Sequence, residues 1–457
     1  MKGLLILATV APLILSACDL SSEAEFDTDA PYASRYQALP SEPTILTGAT
    51  VLTGDGERID DAGIIMRDGR IAAVGHDLDS TGLTVIDASG MWITPGIIDV
   101  HSHLGVYASP RVAAHSDGNE MTAPNTAEVW AEHSVWPQDP GFVAALAGGV
   151  TALQILPGSA NLIGGRSVTL KNVPARSVQA MKFPGAPYGL KMACGENPKR
   201  VYGTNKQVAP GTRMGNVAGY RSAWIEAADY RDKLAAAGKG RGDAPLRDLK
   251  LETLVGVLDG EILVHNHCYR ADEMAVMFDI AKEFGYRISA FHHAVEAYKI
   301  PDLLADNDTC AAVWADWWGF KMEAYDGIRE NAAIVDRAGA CAVIHSDDEL
   351  GIQRLNQEAA KVMGAAARVG IEVPPERAIQ WITKNAARML GIDALVGTLE
   401  AGKMADVTVW GGNPFSVYTR VEQVYIDGAL AFDRQDPSVN PVSDFSLGTQ
   451  AVNGGAQ

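Results

Sequence analysis

At 457 residues, 47% hydrophobic and 21% charged, the chain can bury a large core plus a smaller module, which excludes disorder for most of its length. A formal charge of -18, with no Lys/Arg cluster to offset it, excludes nucleic acid as the partner.

Residues 1–17 read as a processing segment: Lys2 supplies a positive start, residues 4–15 are apolar, and small residues precede Cys18. The apolar run is too short for a membrane span. Leu15-Ser16-Ala17-Cys18 resembles the bacterial lipobox, which implies lipidation of Cys18 and a protein anchored to a membrane on the extracytoplasmic, periplasmic side. Residues 18–43 are polar and aperiodic, as expected of a tether. From Thr44 the texture changes to short apolar runs with turn residues, and Asp68-Gly69 between two of them is a hairpin signal. The same texture returns near the other end. One β module is therefore expected from residues 44–92 and 394–435, with 93–393 between them and 436–457 as a tail.

The next stretch, Thr94-Pro-Gly-Ile-Ile-Asp-Val-His-Ser-His103, is an apolar run closed by two histidines one residue apart. In a strand both imidazoles project from one face, a metal-chelating arrangement. Here the sequence resembles the amidohydrolase superfamily, whose first barrel strand carries Pro-Gly-(Leu/Ile/Phe)-(Ile/Val)-Asp-x-His-x-His, and the resemblance extends over residues 43–433. It implies a (β/α)8 TIM-type barrel with a small β-sandwich domain formed from both termini. Gly402-Lys403-Met404-Ala405-Asp406 matches the family's entry into the returning strand, a structural role.

Apolar runs at 150–156, 189–193, 262–267, 287–293, 309–314 and 342–345 alternate with helical patterns at 271–284, 327–338 and 355–369, which fits a parallel α/β barrel. With the first strand these make seven, and the remaining one of the eight is expected within 167–181, where Gly164, Gly165 and Pro174 blur the pattern. Cys194, Cys268, Cys310 and Cys341 lie within or beside these runs. Buried free thiols are the expected state, and a pair between neighbouring strands is the alternative that export permits.

Functional groups in such barrels stand at the C-terminal ends of the strands. The resemblance implies His101 and His103 as metal ligands, followed by one histidine of His265 and His267. Alignment on Arg270-Ala271-Asp272 favours His267. In Phe291-His292-His293-Ala-Val-Glu296-Ala-Tyr298-Lys299 it selects His293, with His292 pointing to the opposite face in a core or surface role. After the last strand it selects Asp347, with Asp348 solvated and His345 standing behind the ligands.

Lys191 sits inside an apolar run, where its charge is costly unless removed or paired. In prolidase-like relatives the corresponding lysine is carboxylated by CO2 or bicarbonate, and its carbamate bridges two divalent ions; pairing with an acid such as Glu196 is the alternative. The implied centre suits zinc, with manganese or iron as alternatives. Asp347 would take a proton from water and deliver it to the departing amine.

Arg166, Arg270, Tyr298 and Trp318 are the expected substrate contacts. Arg270 can equally pair with an acid at its helix start, and Trp314, Trp317 and Trp318 can form an aromatic wall or plain core. The expected function is hydrolysis of an amide or other C–N bond in a small molecule, as by a dipeptidase or acyl-amino-acid hydrolase. A mononuclear deaminase or cyclic-amide hydrolase is the enzymatic alternative, and a ligand-binding lipoprotein the non-enzymatic one. A homo-oligomer is compatible with the sequence.

Overall fold

A computed structural model describes residues 31–442. Cys18, the 1–17 segment and most of the expected tail lie outside the described residues.

The two ends of the chain share one eight-stranded sheet. Thr44–Leu52, Arg58–Arg67, Arg70–Gly75, Thr84–Asp87 and Trp92–Pro95 come from the N-terminal side, and Val407–Trp410, Val421–Ile426 and Ala429–Asp433 from the C-terminal side. They join where Trp92–Pro95 runs antiparallel to Val407–Trp410 and parallel to Thr44–Leu52. Leu46, Val51, Ile64, Ile93, Val407 and Val409 fill the core beneath this sheet. Asp68 and Gly69 have φ of 52° and 74°, the left-handed pair that a two-residue hairpin requires.

The second sheet is the barrel, with strands in chain order at Ile97–Ser102, Val150–Ile155, Ile163–Lys171, Gly189–Ala193, Leu263–Cys268, Ile288–His293, Cys310–Val313 and Cys341–Ile344. Asp99 links the first strand to the segment after the eighth: it accepts from the amide and hydroxyl of Ser346, while the Asp347 amide donates to the His101 carbonyl at 3.0 Å. Gly96, between the two sheets, has no room for a side chain, because a Cβ there would collide with Thr151.

The third strand departs from expectation in place and direction. It occupies Ile163–Lys171 rather than 167–181, and it is antiparallel to both neighbours. Only residues 156–162 separate it from the second strand. That is too short for the helical crossover a parallel neighbour needs, so the chain turns straight back. Lys171 therefore lies at the end of the barrel facing the terminal sheet. Its buried ammonium donates to Asp406 at 3.0 Å and Asp427 at 2.8 Å, and the Tyr36 hydroxyl also bonds Asp427. Burial pushes the Asp406 carboxyl up, and Lys171 opposes that rise.

The cysteines also depart from expectation. Cys194–Cys268 and Cys310–Cys341 are disulfides, with Cα atoms 5.2 and 4.5 Å apart. The second pair sits directly opposite in register on adjacent strands, so two residues read only as buried apolar positions face each other within bonding distance. The helix Ala271–Phe284 forms as expected, with Asp272 and Glu273 in its first turn and Gly285, φ 76°, ending it.

Candidate metal centre

Seven histidines converge at the barrel's C-terminal end, His345 after the eighth strand among them. His101 and His103 close the first strand, His265 and His267 the fifth, His292 and His293 the sixth, and Asp347 follows the eighth. Asp347 Oδ1 lies 3.4 Å from His101 Nε2 and 3.2 Å from His103 Nε2, and its Oδ2 is 3.9 Å from His293 Nδ1. Burial alone would push this carboxyl up, but the His103 hydrogen bond and the charges of His103, His345 and Lys191 outweigh it and hold Asp347 below the usual carboxylate range. Lys191 Nζ stands 3.3 Å from His101 Nε2. Glu196, the alternative partner, instead lies against Lys321.

Left-handed backbone assembles the group. His293, Ala294 and Asp347 have φ of 69°, 38° and 53°, conformations that cost energy in non-glycine residues and concentrate at functional sites. The turn at His293 lets two successive residues reach the barrel interior, whereas an extended strand would send them to opposite faces.

His292 is thus neither on the surface nor on the opposite face. Its Nδ1 meets His101 Nδ1 at 2.9 Å and its Nε2 meets His265 Nδ1 at 3.0 Å, with the Gln154 carboxamide 3.2 Å beyond, at His265 Nε2. This places His265 beneath the centre and His267 at its mouth, where the His267 ring is 4.5 Å from that of His293. The chain of rings sets tautomers. If His101 donates from Nδ1 to His292, its Nε2 keeps a lone pair for a metal. His103 is set in the same way, its Nδ1 donating to the Leu156 carbonyl at 2.8 Å.

The residues fit a divalent cation. The ligand atoms of His101, His293 and His345 lie within 4.8 Å of one another, as do those of His101, His103 and Asp347. Nδ1 of His267 and His293 and both ring nitrogens of His345 are buried without a hydrogen-bond partner. Each such atom costs about 1–3 kcal/mol unless something binds it. Burial brings His345 down to about 3, so its ring is neutral at neutral pH and one of its two nitrogens offers a lone pair. The sequence pattern sets His345 behind the ligands, whereas in the structure it joins His101 and His293 in one group, beside a second group of His101, His103 and Asp347. His345→Ala is expected to weaken metal retention at least about tenfold, read as metal per chain after dialysis against a weak chelator. Unchanged retention would show that His345 neither binds nor supports the metal.

The expected substrate contacts divide. Trp318 lines the cleft beside His293 together with Trp314 and Trp317, and Trp314 stacks on His293 at 4.2 Å. Arg166 is directed elsewhere: it donates to Thr253 and its guanidinium lies over Trp130 at 4.2 Å. Arg270 pairs with Asp272 at 2.8 Å, the helix-start alternative. Tyr298 donates to the Asp326 carbonyl. A cavity of about 540 Å³ opens beside His103, lined by Tyr107, Arg111 and His115 among others.

Comparison with known proteins identifies the family. The amidohydrolase family model matches residues 236–443. A solved amidohydrolase from Thermotoga maritima MSB8 is 34% identical with a TM-score of 0.79, covering 86% of this chain and 100% of its own. The chain belongs to the amidohydrolase family. The amidohydrolase tasK of Hapsidospora irregularis is 32% identical over 445 residues, 89% of this chain and 44% of that protein. The chain thus spans less than half the length of that curated relative. The triazine hydrolase from Arthobacter aurescens, at 17% identity and TM-score 0.53 over 90% of this chain and 99% of its own, shares the fold. Amidohydrolases generally use divalent metals, and the histidine groups described above are able to bind one.

Proposed function

We propose that the protein is a metal-dependent hydrolase of amide or related C–N bonds, acting on dipeptides or acylated amino acids with two divalent ions, zinc foremost, held by His101, His103, His267, His293, Asp347 and a carbamate on Lys191. The observation that carries this reading is Lys191. Its amine is fully buried, lies beside a histidine rather than an acid, and is brought down by burial to about 8. An amine of that kind spends a useful fraction of its time neutral, the form that adds to CO2 to give a carbamate and release a proton.

Bound at such a centre, divalent cations polarise a carbonyl and bring the pKa of water toward about 7. Asp347, within reach of His101, His103 and His293, is placed to take the proton from water and return it to the departing nitrogen. Trp314, stacked on His293, closes one side of the cleft and lowers its polarity.

A second reading rests on His345. With His101 and His293 it forms a three-nitrogen group that needs no lysine, as a mononuclear deaminase or cyclic-amide hydrolase would use. Metal per chain in protein prepared with bicarbonate, for the native protein and Lys191→Ala, separates the two. Two ions, with a marked loss in the variant, is the expected result. One ion unaffected by the substitution would move the mononuclear reading to the front, and no ion after reconstitution would favour a ligand-binding lipoprotein.

We place the protein outside the cytoplasm, tethered through Cys18. Two disulfides among the described residues support an oxidising compartment, and no helix among those residues is long and apolar enough to cross a membrane.

A further inference from the structure

The loop after the seventh barrel strand carries a lysine that the reading above does not use. Lys321 Nζ lies 3.8 Å from the centre of the Tyr269 ring and 3.4 Å from Asn197 Oδ1. Tyr269 stacks on His293 at 5.3 Å, and Asn197 Nδ2 is 3.4 Å from His267 Nε2. One aromatic ring and one carboxamide therefore separate this ammonium from two histidines of the centre.

The cation is largely desolvated, with its side chain 15% exposed. It has three donors, yet its nearest carboxylates, on Glu196 and Glu323, are both 3.7 Å away, beyond hydrogen-bonding distance. Glu323 commits Oε1 to Arg213, which also holds Glu273 at 3.1 Å, and turns only its buried Oε2, which has no hydrogen-bond partner, toward Lys321. Phe320 and Trp314 pack around Tyr269, so an incoming anion would meet the ammonium in surroundings of low polarity, where charge-assisted hydrogen bonds are strong. Arg270, the cation that the sequence offers for this task, is occupied by Asp272.

We propose that Lys321 anchors a carboxylate of the substrate, so that the site selects amides carrying a free carboxylate next to the bond to be cleaved. This deepens the proposed hydrolase function and rests on it for the position of that bond. Lys321 is a specificity-determining residue here, and Glu196 is the weak competitor that the substrate's carboxylate displaces.

Binding to the metal-loaded protein tests it without relying on turnover. The probes are N-acetyl amino acids with apolar, acidic and basic side chains, each compared with its C-terminal carboxamide, and the readout is tryptophan fluorescence from Trp314 and Trp317. The acids are expected to bind roughly ten- to a hundredfold more tightly than the carboxamides. That preference should vanish in Lys321→Met, survive in Lys321→Arg, and persist or grow in Glu196→Gln. A lysine serving only to neutralise neighbouring acids predicts instead that Glu196→Gln and Lys321→Met disturb binding alike. Equal binding of acids and carboxamides, no binding of either, or a preference that persists in Lys321→Met would overturn the proposal. Hydrolysis of the same probes is scored separately: a Lys321-dependent preference without cleavage would retain the carboxylate anchor and reject the hydrolase reading.

Discussion

Replacing Asp347 with Asn should lower turnover of any amide the protein hydrolyses by about 10²–10⁴-fold, the range for loss of a positioned acid–base group. Asn preserves the shape of the side chain and one oxygen, so the fold and much of the metal content should survive. What it cannot do is accept a proton. The carboxylate is the one acidic group within 4.0 Å of ring nitrogens of His101, His103 and His293 among the described residues, and Asp99, the other acid near His101, is held by the His101 and Ser346 amides and the Ser346 hydroxyl. Asp348 is engaged at the start of the next turn, where it accepts from the Leu350 and Gly351 amides. Kinetics and metal content measured on the same preparation decide the matter. A variant that keeps its metal and more than a tenth of its rate would remove Asp347 from proton handling.

Lys171→Met should destabilise the protein by about 3–5 kcal/mol, the cost of breaking a buried ion pair by removing one partner. Asp406 and Asp427 would be left close together and buried, with the Asp427 amide donating to Asp406 at 3.0 Å and no cation between them. Folding would then have to protonate at least one carboxyl. Adding Asp406→Asn and Asp427→Asn to Lys171→Met should recover a substantial part of the loss, because the repelling charges go with the cation. Denaturant unfolding of the single and triple variants measures both effects. A single variant within about 1 kcal/mol of the native protein would show that water reaches the cluster and screens it.

Much of this architecture is legible in the sequence because its signals are local. The His101-x-His103 pair, the lysine inside an apolar run and the helix over Ala271–Phe284 each follow from residue spacing or caps within a few positions. What escaped reading depends on long-range geometry. Strand alternation sends His292 to the opposite face, and the left-handed turn at His293 breaks that alternation. The cysteine pairs became bonds only through the register of adjacent strands, which single-strand periodicity does not contain. The significance of Lys171 was hidden because the third strand's direction decides which end of the barrel it reaches.

That reversed strand also shapes how the active face can change. The end it presents to the histidine centre is its beginning, so it contributes no outgoing loop there. The space is taken by the long excursion after the first strand, which lies alongside through the bridges Asn125 to Ile163 and Trp130 to Arg166. A single segment, residues 103–139, thus walls the cavity beside His103 and covers ground that two loops would otherwise share. Insertions, deletions or exchanges confined to that segment would give evolution, or a protein engineer, a way to alter substrate range while leaving the ligands and their supporting strands in place.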